Sequence, residues 1–161
     1  VRAAAALLLA AAPAFADDST FAVKSLTAET ALRAGQAALA KCRAGGHQVA
    51  VAIVDRGGNT QVLLRDRYAG PHTVEVSTNK AWTALSFKTP TLELERLTRP
   101  GEPMSGLRAV ARFTAIGGGI PIEAGGSLLG GIGVSGAPGG EADATCASAG
   151  IAAIAESLEL Q

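Results

Sequence analysis

Val51-Ala-Ile-Val-Asp-Arg-Gly-Gly-Asn-Thr-Gln-Val-Leu-Leu-Arg65 is the stretch on which the fold turns. Val49 to Val54 is a continuous apolar run rich in Val and Ile, too short for most helices, and predicts a central strand. Gly57-Gly58-Asn59 supplies a tight turn, and Thr60 to Arg65 returns as the hairpin partner. Beyond it come Tyr68-Ala-Gly-Pro-His-Thr-Val-Glu75 and Asn79-Lys-Ala-Trp-Thr-Ala84, a helix whose beginning carries a histidine, a glutamate and a lysine. Polar chemistry concentrates there.

Upstream of the hairpin, Thr27 with Glu29 behind it starts a helix that Gly45-Gly46 stops, giving Ala28 to Ala44 with the stripe Ala28, Leu32, Gly35, Leu39, Cys42. Downstream, Gly70-Pro71 breaks the chain, and Thr73 or Ser77 caps a helix that runs to about Phe87, with Val74, Ala81, Ala84 and Leu85 inward. Pro90 ends it, and Thr91 to Leu97 reads as a short amphipathic helix. Residues 101–112 read as a loop. From Phe113 the pattern is glycine-punctuated: Phe113 to Ile116, Ile120 to Ile122 and Ser127 to Val134 read as short strands, with Pro121 at an edge or bulge. One last helix is expected from about Ala142 to Leu158. The order of helix, hairpin, helices, antiparallel strands and helix is α+β, with helices covering an antiparallel sheet.

Arg2 precedes the Ala/Leu-rich run Ala3 to Ala12, and Ala14-Phe-Ala16 is a small-x-small cleavage signal. Residues 1–16 are therefore expected to be a signal peptide, cleaved after Ala16, of a periplasmic or secreted protein. The run falls short of the ~20 apolar residues that cross a bilayer, so no membrane span is expected. Residues 17–26 form a short arm and 27–161 a single domain, a size that sustains a hydrophobic core. Fourteen basic and fourteen acidic residues, without a basic block, leave no electrostatic footprint for nucleic acid. Cys42 and Cys146, in an exported chain, are either one bridge between the first and last helices or two buried thiols.

Four segments carry a resemblance: Val51-Ala-Ile-Val-Asp-Arg-Gly-Gly-Asn59, Lys80-Ala-Trp-Thr-Ala84, Gly117-Gly-Gly-Ile-Pro121 and Gly130-Gly-Ile-Gly-Val-Ser-Gly136. In their order and spacing the chain resembles the HbpS/GlcG-type haem-binding family, which also includes the C-terminal domain of PduO-type proteins. The resemblance spans about Ser25 to Leu158. It implies a profilin-like α/β/α arrangement around a five-stranded antiparallel sheet, assembly into homo-oligomers, and haem as the cofactor. Degradation of haem or release of its iron is implied for some members only, so an enzymatic role stays open.

His72, on the loop before the second helix, is the candidate iron ligand, because a neutral imidazole is a common axial ligand of haem. Glu75 lies three residues on and shares the first helical turn. The resembled family has an acidic Glu-x-x-Glu pair associated with iron here, but Thr78 takes the second position, and one carboxylate beside a threonine is a poorer iron site. Lys80 and Arg65, with Arg67, are candidates for haem propionates through charge-assisted hydrogen bonds. Lys80 has a second reading as a structural ion pair with Asp55 or Glu75. His47 reads as a solvated turn residue. Trp82, Tyr68, Phe87 and Phe113 are either the apolar wall of a haem site or core. Gly131-Ile-Gly-Val-Ser-Gly136 matches G-x-G-x-x-G, yet no parallel βαβ unit surrounds it, which excludes dinucleotide binding. The amino terminus of the last helix can face an anion, although Glu141 and Asp143 make it less inviting.

The expected function is thus an exported haem-binding protein, with iron held at His72, acting in haem sensing, trafficking or degradation. The alternatives are an enzyme or binding module for another small ligand, such as a corrinoid, a flavin or a short hydroxy acid, and a structural or signalling partner of an exported sensor.

Overall fold

A β-branched run that is apolar at every position, not every second one, must be covered on both faces. That is the situation of the first strand in the computed structural model, which describes residues 19–159. Strand β1 (Ala50–Asp55) is buried from Ala50 to Val54. It pairs antiparallel with β2 (Thr60–Arg65) on one side and, after the intervening chain, with β4 (Ser127–Ser135) on the other. Strand β3 (Gly119–Ala124) pairs with β4, so the order is β2-β1-β4-β3, antiparallel throughout. Helices α1 (Ala28–Ala44) and α4 (Gly140–Ala152) cover one face, packing on Val51, Ile53, Ile132 and Val134. Helix α2 (Thr73–Phe87) covers the other with Ala81 and Leu85 against Val54. The expected α/β/α layering is therefore present. Short helices α3 (Thr91–Leu97) and α5 (Ala155–Glu159) and a single 3-10 turn at Ser105–Ala109 complete the described residues. The expected signal peptide, residues 1–16, lies outside them.

Four expectations are corrected. The sheet has four strands, where the resemblance implied five, and Phe113 to Ile116 is not a strand. The chain turns at Arg112, whose φ is 69°, and Thr114 then gives its amide to the Thr83 hydroxyl at 2.9 Å in place of a ladder partner. Phe113 packs edge-on against Phe87 with ring centroids 5.0 Å apart. The last helix is divided into α4 and α5 by a turn at 153–154 that buries Ile154 completely. On α1 the buried face is Ala31, Ala34, Gly35, Ala38, Leu39 and Cys42, while Ala28 and Leu32 are exposed.

Glycines in β4 set how closely α2 approaches. A Cβ on Gly133 would collide with the Ser77 carbonyl, and one on Gly131 would stand 2.5 Å from the Ala81 carbonyl. The helix backbone lies directly on the strand, and any side chain there forces the layers apart. On the opposite face Cys42 and Cys146 form a disulfide with Cα atoms 5.5 Å apart, joining α1 to α4. A Cβ on Gly150 would come within 2.7 Å of the Ala34 carbonyl, so these helices also touch backbone to backbone.

Two outcomes are expected in urea unfolding. Gly133→Ala lowers stability by about 3 kcal/mol through overpacking of the α2 contact. Replacing both cysteines with serine lowers it by about 3–5 kcal/mol, because the bridge closes a loop spanning a sequence separation of 104 residues. A fully stable double serine variant would mean that the bridge constrains nothing.

Candidate functional site

At one end of the sheet, four segments that follow or precede regular elements leave an open cleft of about 580 Å³. They are the α1–β1 turn with His47, the β2–α2 loop with Tyr68 and His72, the end of β4 with Ser135, and the β4–α4 loop with Pro138. The cleft floor is a buried ion pair, Lys80 of α2 with Asp143 of α4.

The β2–α2 loop is pinned before it reaches His72. Asp66 is buried and accepts from Arg43 Nε at 2.8 Å, Arg65 donates to the Ala69 carbonyl, and the Thr73 hydroxyl donates to the Gly70 carbonyl at 2.7 Å. Gly70 leaves room beside the His72 imidazole, whose Cε1 would stand 2.7 Å from a Cβ at that position. His72 occupies the position before α2 yet makes no capping hydrogen bond, and it is exposed. Its imidazole is therefore free at the lip of the cleft. Tyr68, 79 % exposed, stands on the same loop with the Arg67 guanidinium 6.0 Å from its ring centre.

Lys80 is only 1 % exposed, and its ammonium donates to Asp143 Oδ2 at 2.7 Å and to the Val134 carbonyl at 2.9 Å. Burial pushes the Lys80 pKa down and that of Asp143 up, and their mutual hydrogen bond and charge oppose both shifts. Asp143 also accepts from the amides of Ala137, at 3.0 Å, and Gly136. This pair both closes the floor and orders the β4–α4 loop. The reading of Lys80 as a propionate partner does not fit an ammonium already committed to Asp143 and a carbonyl. Its ion-pair reading holds in kind but not in partner, which is neither Asp55 nor Glu75.

Of the other candidates, Arg65 serves the loop backbone, and Glu75 is exposed on the first turn of α2, away from the residues that line the cleft. Thr78 turns its hydroxyl back to the Val74 carbonyl at 2.8 Å. Trp82 lies under the Arg112 guanidinium, 4.9 Å away, and Phe87 and Phe113 pack on each other, so Tyr68 is the aromatic of the cleft. Three lining residues are not among the candidates the sequence offers: His47, half-buried where a two-glycine turn leaves α1, Ser135 and Asp143. Among the described residues no three His, Cys, Asp or Glu side chains cluster as a metal cage. A cofactor that brings its own equatorial ligands needs one imidazole only.

Unpairing one member of a buried ion pair costs more than removing both. Lys80→Met is expected to lower stability by about 3–5 kcal/mol, and Lys80→Met with Asp143→Leu to recover a large part of it. Losses of Lys80→Met and Asp143→Leu that simply add in the double variant, measured by chemical denaturation, would show that the two groups do not interact.

Residues 26–152 match the family described as haem degrading protein HbpS-like. The crystal structure of a double mutant of HbpS from Streptomyces reticuli has 39% identity and a TM-score of 0.79, over 89% of this chain and 97% of that one. A complex of PduOC with heme has 33% identity and a TM-score of 0.76, over 81% and 95%. Corrinoid adenosyltransferase PduO of Citrobacter freundii is 38% identical over 108 residues, which is 66% of this chain but 32% of that enzyme. The family match takes in every strand of the sheet and all four segments around the cleft, and by it this chain belongs to the HbpS-like family.

Proposed function

We propose that this protein binds haem in the cleft, with His72 as the protein ligand to iron. The observation that carries the reading is the uncapped, exposed imidazole of His72 on a pinned loop, next to Tyr68 and facing an open cleft. The volume of about 580 Å³ falls within the roughly 300–1,000 Å³ of small-molecule sites. Tyr68, Val76 and Ile116 give the lining apolar surface, and the Lys80–Asp143 floor is neutral as a pair, so a flat, largely apolar ring system fits. Haem would bring its own iron and redox chemistry, while the chain supplies the imidazole, the apolar lip and a floor that excludes water. The heme complex of PduOC, a structure of similar fold, supports this choice of ligand.

A corrinoid is the second reading, favoured by the identity to corrinoid adenosyltransferase PduO, although the chain matches 32% of that enzyme. Export belongs to the proposal as well. The leader-like residues 1–16 are in keeping with it, and a disulfide suits an oxidising compartment. Self-association, which the resemblance implies, is proposed on the same footing.

Haemin titration followed by Soret absorbance tests the site. The wild-type protein is expected to give a saturable shift that His72→Ala alters or abolishes, while cobalamin produces no saturable change. A shift that His72→Ala leaves untouched would remove His72 as the ligand, and the absence of any saturable shift would remove haem. For export, expression in a bacterial host is expected to yield an extracytoplasmic protein whose first residue, by intact mass, is Asp17.

A further inference from the structure

Ser135 is the last residue of β4, is 5 % exposed and lines the cleft. Its hydroxyl has no hydrogen-bond partner among the described residues, and it is not one of the fully enclosed orphan atoms, so it opens into the cleft. A hydroxyl that faces the cleft without a protein partner is free to donate to a molecule that enters it.

The first turn of α4 forms the same wall. Gly139 precedes the helix with no side chain to cap it, and its own amide is spent on the Ala137 carbonyl. The amides of Gly140, Glu141 and Ala142 have no acceptor inside a helix that begins there. Gly140 lines the cleft, where its free amide and the positive end of a 13-residue helix favour a negative group. Asp143 does not oppose it, because Lys80 neutralises that carboxylate at 2.7 Å, and Glu141 is exposed and screened by water.

We infer that Ser135 and the first turn of α4 form a carboxylate subsite in the cleft. Ser135 donates its hydroxyl hydrogen to one carboxylate oxygen, and the Gly140 amide at the start of α4 donates to the other. This subsite takes over the anion-holding role that the sequence assigned to Lys80. It deepens the haem reading where the carboxylate is a haem propionate, and it stands without that reading where the carboxylate belongs to a free small acid.

The test compares wild-type protein with Ser135→Ala, using haemin, haemin dimethyl ester and acetate as probes. For a propionate source, Ser135→Ala weakens haemin roughly tenfold, the loss expected for a hydrogen bond to a charged group, and leaves the ester unchanged. For a free acid, millimolar acetate shifts the amide resonances of 139–142 saturably in the wild type and not in Ser135→Ala. Acetate binding with no haemin binding would sink the haem proposal and keep the subsite. Haemin and its ester weakened equally, without an acetate response, would overturn the subsite while keeping haem. A variant indistinguishable from wild type with all three probes would overturn it too.

Discussion

One ammonium and one carboxylate, 2.7 Å apart and shut off from water, join helices on opposite faces of the sheet. Lys80 reaches from α2 past the end of β4 to Asp143 of α4, taking the Val134 carbonyl on the way. The route is open because Gly118 stands beside it. Its φ is +119°, and a Cβ there would stand 2.7 Å from Asp143 Cβ and 3.1 Å from Lys80 Nζ. With the pair in place, the relative position of the two helical layers is fixed at the end of the sheet where the cleft opens. The remaining bonds of Asp143, to the amides of Gly136 and Ala137, carry the same constraint into the loop that walls the cleft.

How far the fold was legible follows from the range of each determinant. Helix α1 was readable to the residue, because its cap at Thr27 and its stop at Gly45-Gly46 are local. The hairpin was readable for the same reason, its turn and apolar runs being contiguous. Phe113 to Ile116 misled because an apolar tetrapeptide between glycine and basic residues looks like a strand. What decides its conformation is the hydroxyl of Thr83, about thirty residues earlier, together with the Phe87 ring. The turn that divides α4 from α5 is likewise set by the burial of Ile154, which an unbroken helical pattern does not announce.

The site divides along the same line. His72 could be picked out because Gly70-Pro71 marks a loop and imidazole is a versatile ligand, both local facts. Lys80 was noticed for its apolar neighbours, which did point to burial, but its partner lies 63 positions away and no spacing rule connects them. Asp143 looked like an ordinary acid of a first helical turn, favourable to the dipole and otherwise silent. His47 reads as a solvent residue because a two-glycine turn precedes it, whereas the fold brings that turn to the rim of the cleft. Ser135 ends a glycine-rich strand that sequence patterning explains without it.

The floor is ionic and not apolar although an ion pair is the costlier filling. Two buried charges lose their hydration, and a well-packed hydrophobic pair is often as stable or more so. A methionine and a leucine could fill the gap between α2 and α4, but neither could accept the Ala137 amide or donate to the Val134 carbonyl. Those two groups lie on either side of Ser135 and decide where the strand ends and the loop begins. The pair therefore does for the shape of the cleft what apolar packing cannot, since it holds backbone polar groups at defined points. The first turn of α4 stays uncapped, because Gly139 precedes it without a side chain. The ion pair that closes the floor also neutralises the one buried acid of that turn, so the Gly140 amide meets whatever enters from above without an opposing charge beneath it.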